Sequence, residues 1–346
     1  MVLGICGFGY SGSGAVWDLL KEYPDCKLIG KEREFTMLYQ PDGLGDLKYH
    51  IVDSPARFMS SDVAIGRFIQ TVRSLDKRAW EEIFNGRLIP LSETFVRQIT
   101  QVNWKGYWQI DIDALENNKV GYIAYRLKRF YNSFAKRHKL PETRLLKRRD
   151  MYLSIEEPGS ERFMTCARQY LDSLIQAAGY SAADDFVVFN QIFPANCPTL
   201  FFEYFSQSKA ILVIRDPRDV YITLKRVQDA GSQWFPHDNV DDFIEYYKIM
   251  HRSLLDLQDE NVLIVRFEEL IYQYDATRDK ILNFCGLTGK SHSKARFFDP
   301  AISIRNTMLY REYPEHEEDI KKIETALPDY LYPFDTTLQI DHNEVF

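Results

Sequence analysis

Apolar and polar positions divide the 346-residue chain into a few buried strand candidates, each running into a polar or glycine-rich turn. Leu3 to Cys6 is a short apolar run. Glycines follow at 7, 9, 12 and 14, and then AVWDLLKEY, in which Val16, Leu19, Leu20 and Tyr23 recur at helical spacing until Pro24 stops it. Strand, glycine-rich turn and helix in this order predict the opening of a nucleotide-binding α/β fold. Cys26 to Gly30 predicts a second strand that carries Lys31-Glu32-Arg33-Glu34 to the sheet edge. Three later runs, Phe186 to Phe189, Ala210 to Ile214 and Val262 to Val265, have the unbroken apolar character of parallel strands covered on both faces. They stop at Asn190-Gln191, Arg215-Asp216 and Arg266, and open parallel sheets bind ligands at such strand ends. From about residue 53 to 185 the pattern is mostly helical, without a low-complexity linker or a repeat, which predicts helices laid over or beside the sheet in one 1–346 domain. Trp104, Tyr107 and Trp108 within it fit either the lining of a ligand cleft or an ordinary anchor of the helical layer.

A hydrophobic share of 45% is enough for a substantial core, and the net charge of -7 is unevenly spread. Ten lysines and arginines face one acid, Glu142, between Arg126 and Arg149, whereas ten acids face Lys321 and Lys322 between Glu312 and Phe346. The basic run suits either the rim of a site for an acidic ligand or a solvated helix face. Five cysteines, at 6, 26, 166, 197 and 285, form no CxxC pair and predict reduced thiols in a cytoplasmic protein. No stretch reads as a secretion signal or a transmembrane span, and no zinc-finger, helix-turn-helix or RNA-recognition pattern predicts a nucleic-acid partner. No ligand cluster predicts a metal.

The segment Gly7 to Gly14 supports two nucleotide chemistries. Literally it contains GxGxxG, with Glu32 about twenty residues beyond Gly12, where a dinucleotide site of a nicotinamide-dependent oxidoreductase places its ribose-binding acid. Alternatively it is a phosphate cradle, in which small residues let backbone N–H groups converge on an oxyanion, Ser11 and Ser13 add hydroxyls, and the following helix offers its positive end. It is no Walker A loop, because no GK[ST] follows.

Arg215-Asp216-Pro217-Arg218-Asp219 separates the two. Asp216 suits an N-cap, Pro217 the first helical position and Asp219 the capping-box position, so a helix starts at the strand end and fixes the directions of Arg215 and Arg218. Arginine presents a fork suited to a phosphate monoester, and Thr223, four residues beyond Asp219 on the same helical face, adds a hydroxyl.

On these residues the chain resembles the 3'-phosphoadenylyl-sulfate-dependent sulfotransferases, in particular the bacterial and carbohydrate-type members. Tyr10-Ser11-Gly12-Ser13-Gly14, with Ala15 continuing it, is similar to the family's 5'-phosphosulfate loop. VIRDPRDVYITLKR is similar to its 3'-phosphate motif, with Arg215 and Thr223 at the phosphate-binding positions. VLIVRFEELIYQ resembles the strand-to-helix segment that follows, and Ile302-Ser303-Ile304-Arg305-Asn306-Thr307 the late segment over the 3'-phosphate. The resemblance implies a three-layer α/β/α fold with a mostly parallel, P-loop-like central sheet. It implies 3'-phosphoadenosine-5'-phosphosulfate as donor and a hydroxyl or amine acceptor, first of all a carbohydrate, whose site the 60–180 helical region shapes. Two departures stand out. The loop lacks the lysine or arginine of many members, which leaves Lys31, Lys225 or Arg226 as candidate cations, and Asn190-Gln191 stands where animal cytosolic members carry a histidine base. Glu34, whose Glu34-Phe35 resembles the glutamate position of carbohydrate-modifying members, is the expected base, with Glu32 one register error away. A nucleotide-binding protein without turnover is the remaining alternative.

Overall fold

The computed structural model describes residues 1–346 apart from 55–58, 77–79, 144–145, 158, 184, 228–234, 291, 293–295, 336, 339 and 341–346, and for residues 31, 32, 76, 115 and 116 it describes the backbone. Its strands are β1 (Val2–Gly7), β2 (Cys26–Glu34), β3 (Val102–Gly106), β4 (Arg149–Leu153), β5 (Phe186–Asn190), β6 (Ser208–Ile214) and β7 (Val262–Arg266). The chain forms two compact units, one of Met1–Gln40, Ala79–Arg87 and Leu171–Phe346, the other of Pro41–Arg78 and Leu88–Tyr170.

The first unit holds a five-stranded sheet in the order β2-β5-β1-β6-β7, all pairs parallel. It is the central layer of a three-layer α/β/α architecture, and its order follows from burial. All four residues from Val2 to Ile5 are buried, as a strand covered on both faces requires. Leu3 and Ile5, with Val188, Ile211, Val213 and Val265, pack against Val16, Trp17, Leu19 and Leu20 of the helix Ser13–Lys21 and Ile281 and Leu282 of the helix Tyr274–Cys285. The intervening Gly4 faces Phe193, whose ring would stand 2.5 Å from any added Cβ. Beside the sheet, Tyr221 and Leu224 of the helix Pro217–Val227 join Phe243 and Tyr247 of the helix Val240–His251 and Ile320 and Ile323 of the helix Glu317–Ala326 in a separate core.

β2 runs four residues past the expected end at Gly30, with a register shift between Ile29 and Glu34 that re-pairs Glu34 with Asn190 of β5. The cause is local: Gly30 has φ +111°, a bend that an L side chain resists, and the strand resumes beyond it.

The second unit is mainly helical, with the helices Ser60–Asp76, Leu88–Ile99 and Lys119–Arg137, and also holds an antiparallel pair, β3 and β4, which the sequence pattern did not predict. β3 is largely exposed and therefore shows no apolar alternation. Its anchor is Asp62, fully buried, which accepts hydrogen bonds from Trp108 Nε1 (2.7 Å), Tyr152 N (2.8 Å) and Arg149 Nη2 (2.8 Å). Trp108 thus anchors this helical layer. No helix among the described residues is long and apolar enough to cross a membrane.

Candidate functional site

Parallel strands bring their polar stops to one edge of the sheet, and on the first unit this edge gathers the turn after β1, Glu34, Asn190, Arg215 and Arg266. The turn is shaped by backbone requirements. Gly12 has φ +84° and an added Cβ would lie 2.4 Å from Phe267 Cδ2, so only glycine fits there, and Tyr10 occupies the same left-handed region at φ +61°. Gly12 caps the helix Ser13–Lys21 without any side-chain acceptor, and no acid lies in the first turn, which leaves the positive helix end open to an anion. Ser11 is buried beneath the turn, and among the described residues its Oγ has no hydrogen-bond partner.

Arg215 is only 6% exposed and clamps this turn to the late segment. Its Nη1 donates to Tyr10 O (3.0 Å) and its Nη2 to Asn306 O (2.5 Å), the guanidinium lies 5.3 Å from the Phe267 ring centre, and its backbone carbonyl accepts from Tyr247 OH (2.8 Å). Among the described residues Nε has no partner. Residues 205 positions apart in sequence are therefore in direct contact. Together Tyr10, Gly12, Ala15, Arg215 and Asn306 line one cavity of about 410 Å³, completed by Asp18, Phe267, Phe297, Phe298, Asp299, Ile302 and Ser303. That volume falls within the roughly 300–1,000 Å³ of small-molecule and cofactor sites.

The remaining sequence candidates are placed around it. Ser13 and Gly14 begin the helix behind the turn, and Arg305 lies in the short helical turn Ile304–Asn306. Thr223 is outside the lining, and its hydroxyl donates to Asp219 O (2.7 Å), so it must rotate before it can serve a phosphate. Lys225 packs over Tyr221 at 5.1 Å, roughly 12 Å of helical rise from Pro217, whereas Lys31 lies outside the described side chains. Arg218 is engaged by Asp216 through Nε (2.9 Å) and Nη2 (2.8 Å), with Nη1 on Glu324 Oε1 (2.8 Å).

The capping box is not formed as the sequence suggested. Asp216 does cap, accepting from Arg218 N (2.9 Å), but Asp219 is too short to reach back. Its Oδ2 accepts instead from Met308 N (2.8 Å), and Glu268 Oε1 takes the Asp216 N–H (2.8 Å). Burial among one another raises the pKa of both Asp219 and Glu268 well above the carboxylate norm, opposed by Arg215.

Glu34 ends β2 with its side chain open to solvent, yet desolvation by the surrounding protein still raises its pKa. β5 separates β2 from β1, so Glu34 lies about 10 Å from the end of β1 in strand spacings. Glu32 is in the shifted part of β2 and its side chain lies outside the description. The same order bears on the literal GxGxxG: a dinucleotide fold pairs β1 with the strand carrying the acid, and here β5 stands between them. Gln191, at the position where a histidine base was not found, accepts from Gly7 N (3.2 Å) and supports the turn.

Sequence reasoning missed several contributors. Glu22, nearly fully buried, accepts from Phe297 N (2.8 Å) and Phe298 N (3.0 Å) and so holds one cavity wall. His251 stacks on Tyr247 with ring centres 3.7 Å apart and borders, with Ser11 and Arg215, a void of about 10 Å³ under the turn. Burial lowers its pKa to about 4.

A sequence profile of the Sulfotransferase family matches residues 99–291, more than half of the chain. No curated protein sequence matches it. Among solved structures, a sulfotransferase domain from the curacin biosynthetic pathway aligns over 48% of this chain and 69% of its own, at 15% identity and a TM-score of 0.31. A sulfotransferase domain from the Synechococcus PCC 7002 olefin synthase aligns over 96% and 95%, at 14% identity and a TM-score of 0.41. The profile takes in the Arg215 strand end and the β7 segment that packs against it, and on that match the chain belongs to the Sulfotransferase family.

Proposed function

We propose that the protein transfers a sulfuryl group from 3'-phosphoadenosine-5'-phosphosulfate to a hydroxyl or amine acceptor, with a carbohydrate hydroxyl as the first acceptor class. The observation that carries this reading is the contact of Arg215 with Tyr10 at one cavity, which lets a single nucleotide touch both phosphate-binding elements. A buried polar atom of this lining residue without a partner among the described residues, Arg215 Nε, fits an anionic ligand, because leaving such a group unpaired is costly. Tyr10, Ser11, Gly12, Ser13, Gly14 and Ala15 would hold the 5' end through hydroxyls and the open helix start. Arg215, Arg305 and Asn306 would hold the 3'-phosphate, joined by Thr223 once its hydroxyl turns from Asp219. Asp18 and Asp299 repel phosphate and suit ribose hydroxyls or an adenine amino group, beside the aromatic walls Phe297 and Phe298.

When bound, the donor supplies a sulfuryl group whose bond to the 5'-phosphate oxygen breaks as an acceptor oxygen attacks the sulfur. Glu34 takes the acceptor proton, and its raised pKa brings it closer to the acceptor's own. Positive charge for the leaving phosphate comes from the helix start.

The test is a thermal-shift comparison of 3'-phosphoadenosine-5'-phosphate, NADH and ATP. A selective upward shift with the first is expected. A larger shift with NADH would return the oxidoreductase reading.

A further inference from the structure

The helix Lys119–Arg137 carries its apolar residues on the outside. Val120, Ile123, Leu127, Phe130 and Phe134 recur at steps of three and four and stand 76%, 59%, 65%, 77% and 49% exposed. At about 100° per residue they form a stripe roughly 80° wide and about 21 Å long. The opposite face, which rests on the unit, has few large apolar residues: Gly121 and Ala135 are buried, and Ala124, Tyr125, Lys128 and Asn132 are half-buried between them. An amphipathic helix in a globular domain normally has the reverse orientation, so this stripe is built to meet something outside the described chain.

Charge identifies what it meets. The helix has six basic residues, Lys119, Arg126, Lys128, Arg129, Lys136 and Arg137, and no acid. Among the described residues no carboxylate pairs with Arg126, Lys128, Arg129, Lys136 or Arg137; Arg126 instead lies over the Tyr122 ring at 5.9 Å. Lys119, Arg126 and Arg137 run along one border of the stripe, and Tyr131 flanks the other, where an amphipathic ring suits a boundary between water and hydrocarbon. A second copy of the helix would set like charges along the seam of any pairing. The helix is too basic and too short of apolar residues to span a bilayer. A cationic helix with Phe, Leu and Ile on its free face matches an anionic lipid surface, where the stripe enters the acyl boundary and the basic residues meet headgroup phosphates.

We propose that this helix is a peripheral docking surface for an anionic membrane, independent of the donor chemistry. The full chain is sedimented with sucrose-loaded vesicles of phosphatidylcholine alone or with about a third phosphatidylglycerol. Wild type is compared with the double variants Leu127→Glu/Phe130→Glu and Arg126→Glu/Arg137→Glu, each checked for native circular dichroism and melting. The expected result is at least roughly tenfold stronger partitioning to anionic than to neutral vesicles, release in about 0.5 M salt, and a loss of about tenfold or more in either variant. Because the wild-type comparison needs no variant, it decides the matter even if a substitution prevents folding. Equal or absent partitioning on the two vesicle types overturns the proposal, as does binding that folded variants retain. A dimer that Leu127→Glu/Phe130→Glu dissociates, in a chain that ignores vesicles, assigns the stripe to a second copy instead.

Discussion

Replacing Arg215 tests two roles at once and separates them. In Arg215→Lys the charge opposite Asp219 and Glu268 remains, but the fork that bonds Tyr10 O and Asn306 O becomes a single flexible ammonium. Losing one charge-assisted hydrogen bond costs about 1.5–3 kcal/mol, so folding stability should fall by about 2 kcal/mol. Affinity for 3'-phosphoadenosine-5'-phosphate should fall by a similar amount, or about 30-fold. Arg215→Ala removes both bonds and the charge that opposes the raised pKa values of Asp219 and Glu268, so its loss of stability should exceed that of Arg215→Lys. Urea denaturation reads the first quantity and calorimetric titration with the nucleotide the second. A dissociation constant unchanged in both variants would refute the phosphate role. Unchanged stability would show that the bonds to Tyr10 and Asn306 do not hold the turn in place.

Three further outcomes follow from the geometry. Glu34→Gln should reduce transfer by about a hundredfold or more while nucleotide affinity stays as it was. In wild type the acid limb of the pH–rate profile should lie above the usual carboxylate range, because desolvation by the surrounding protein raises this pKa, and the limb should vanish in the variant; full activity of Glu34→Gln would remove the base. His251 is neutral when folded and has its pKa lowered to about 4, so the unfolded chain binds more protons at acid pH. Its contribution is complete above the ordinary imidazole value and is lost as pH falls towards 4, a total of about 3 kcal/mol that should disappear from the pH dependence of urea denaturation in His251→Phe. Gly12→Ala must adopt a left-handed backbone costing about 1–2 kcal/mol and meets Phe267 besides, so its urea midpoint should drop by more than the backbone term alone, and an unchanged midpoint would contradict the geometry of the turn.

The sequence exposed the parts of the fold that local chemistry dictates. β1, β5, β6 and β7 were legible because each contains an unbroken run of non-polar residues, and the ends of β5, β6 and β7 were legible because polar residues stop them. Tyr10, Gly12 and Arg215 stand in the turn and the stop that follow such strands, Ala15 and Asn306 came only from the family resemblance, and all five line a common cavity. What escaped was non-local. Nothing in Glu22 announces that it will accept two backbone N–H groups from Phe297 and Phe298, 275 and 276 positions away. Glu268 displaced Asp219 from the capping box for the same reason: two segments 52 residues apart supplied a longer carboxylate at the right place. The β3–β4 pair was hidden because an exposed strand has no apolar period to read.

The central claim is that one adenine nucleotide is held by the early turn and the Arg215 strand end together. A crystal structure of the protein with 3'-phosphoadenosine-5'-phosphate tests it most directly. The 5'-phosphate should lie on the first turn of the Ser13 helix and the 3'-phosphate within hydrogen-bond distance of Arg215. A nucleotide bound away from either group, or with its phosphates exchanged, would contradict the account.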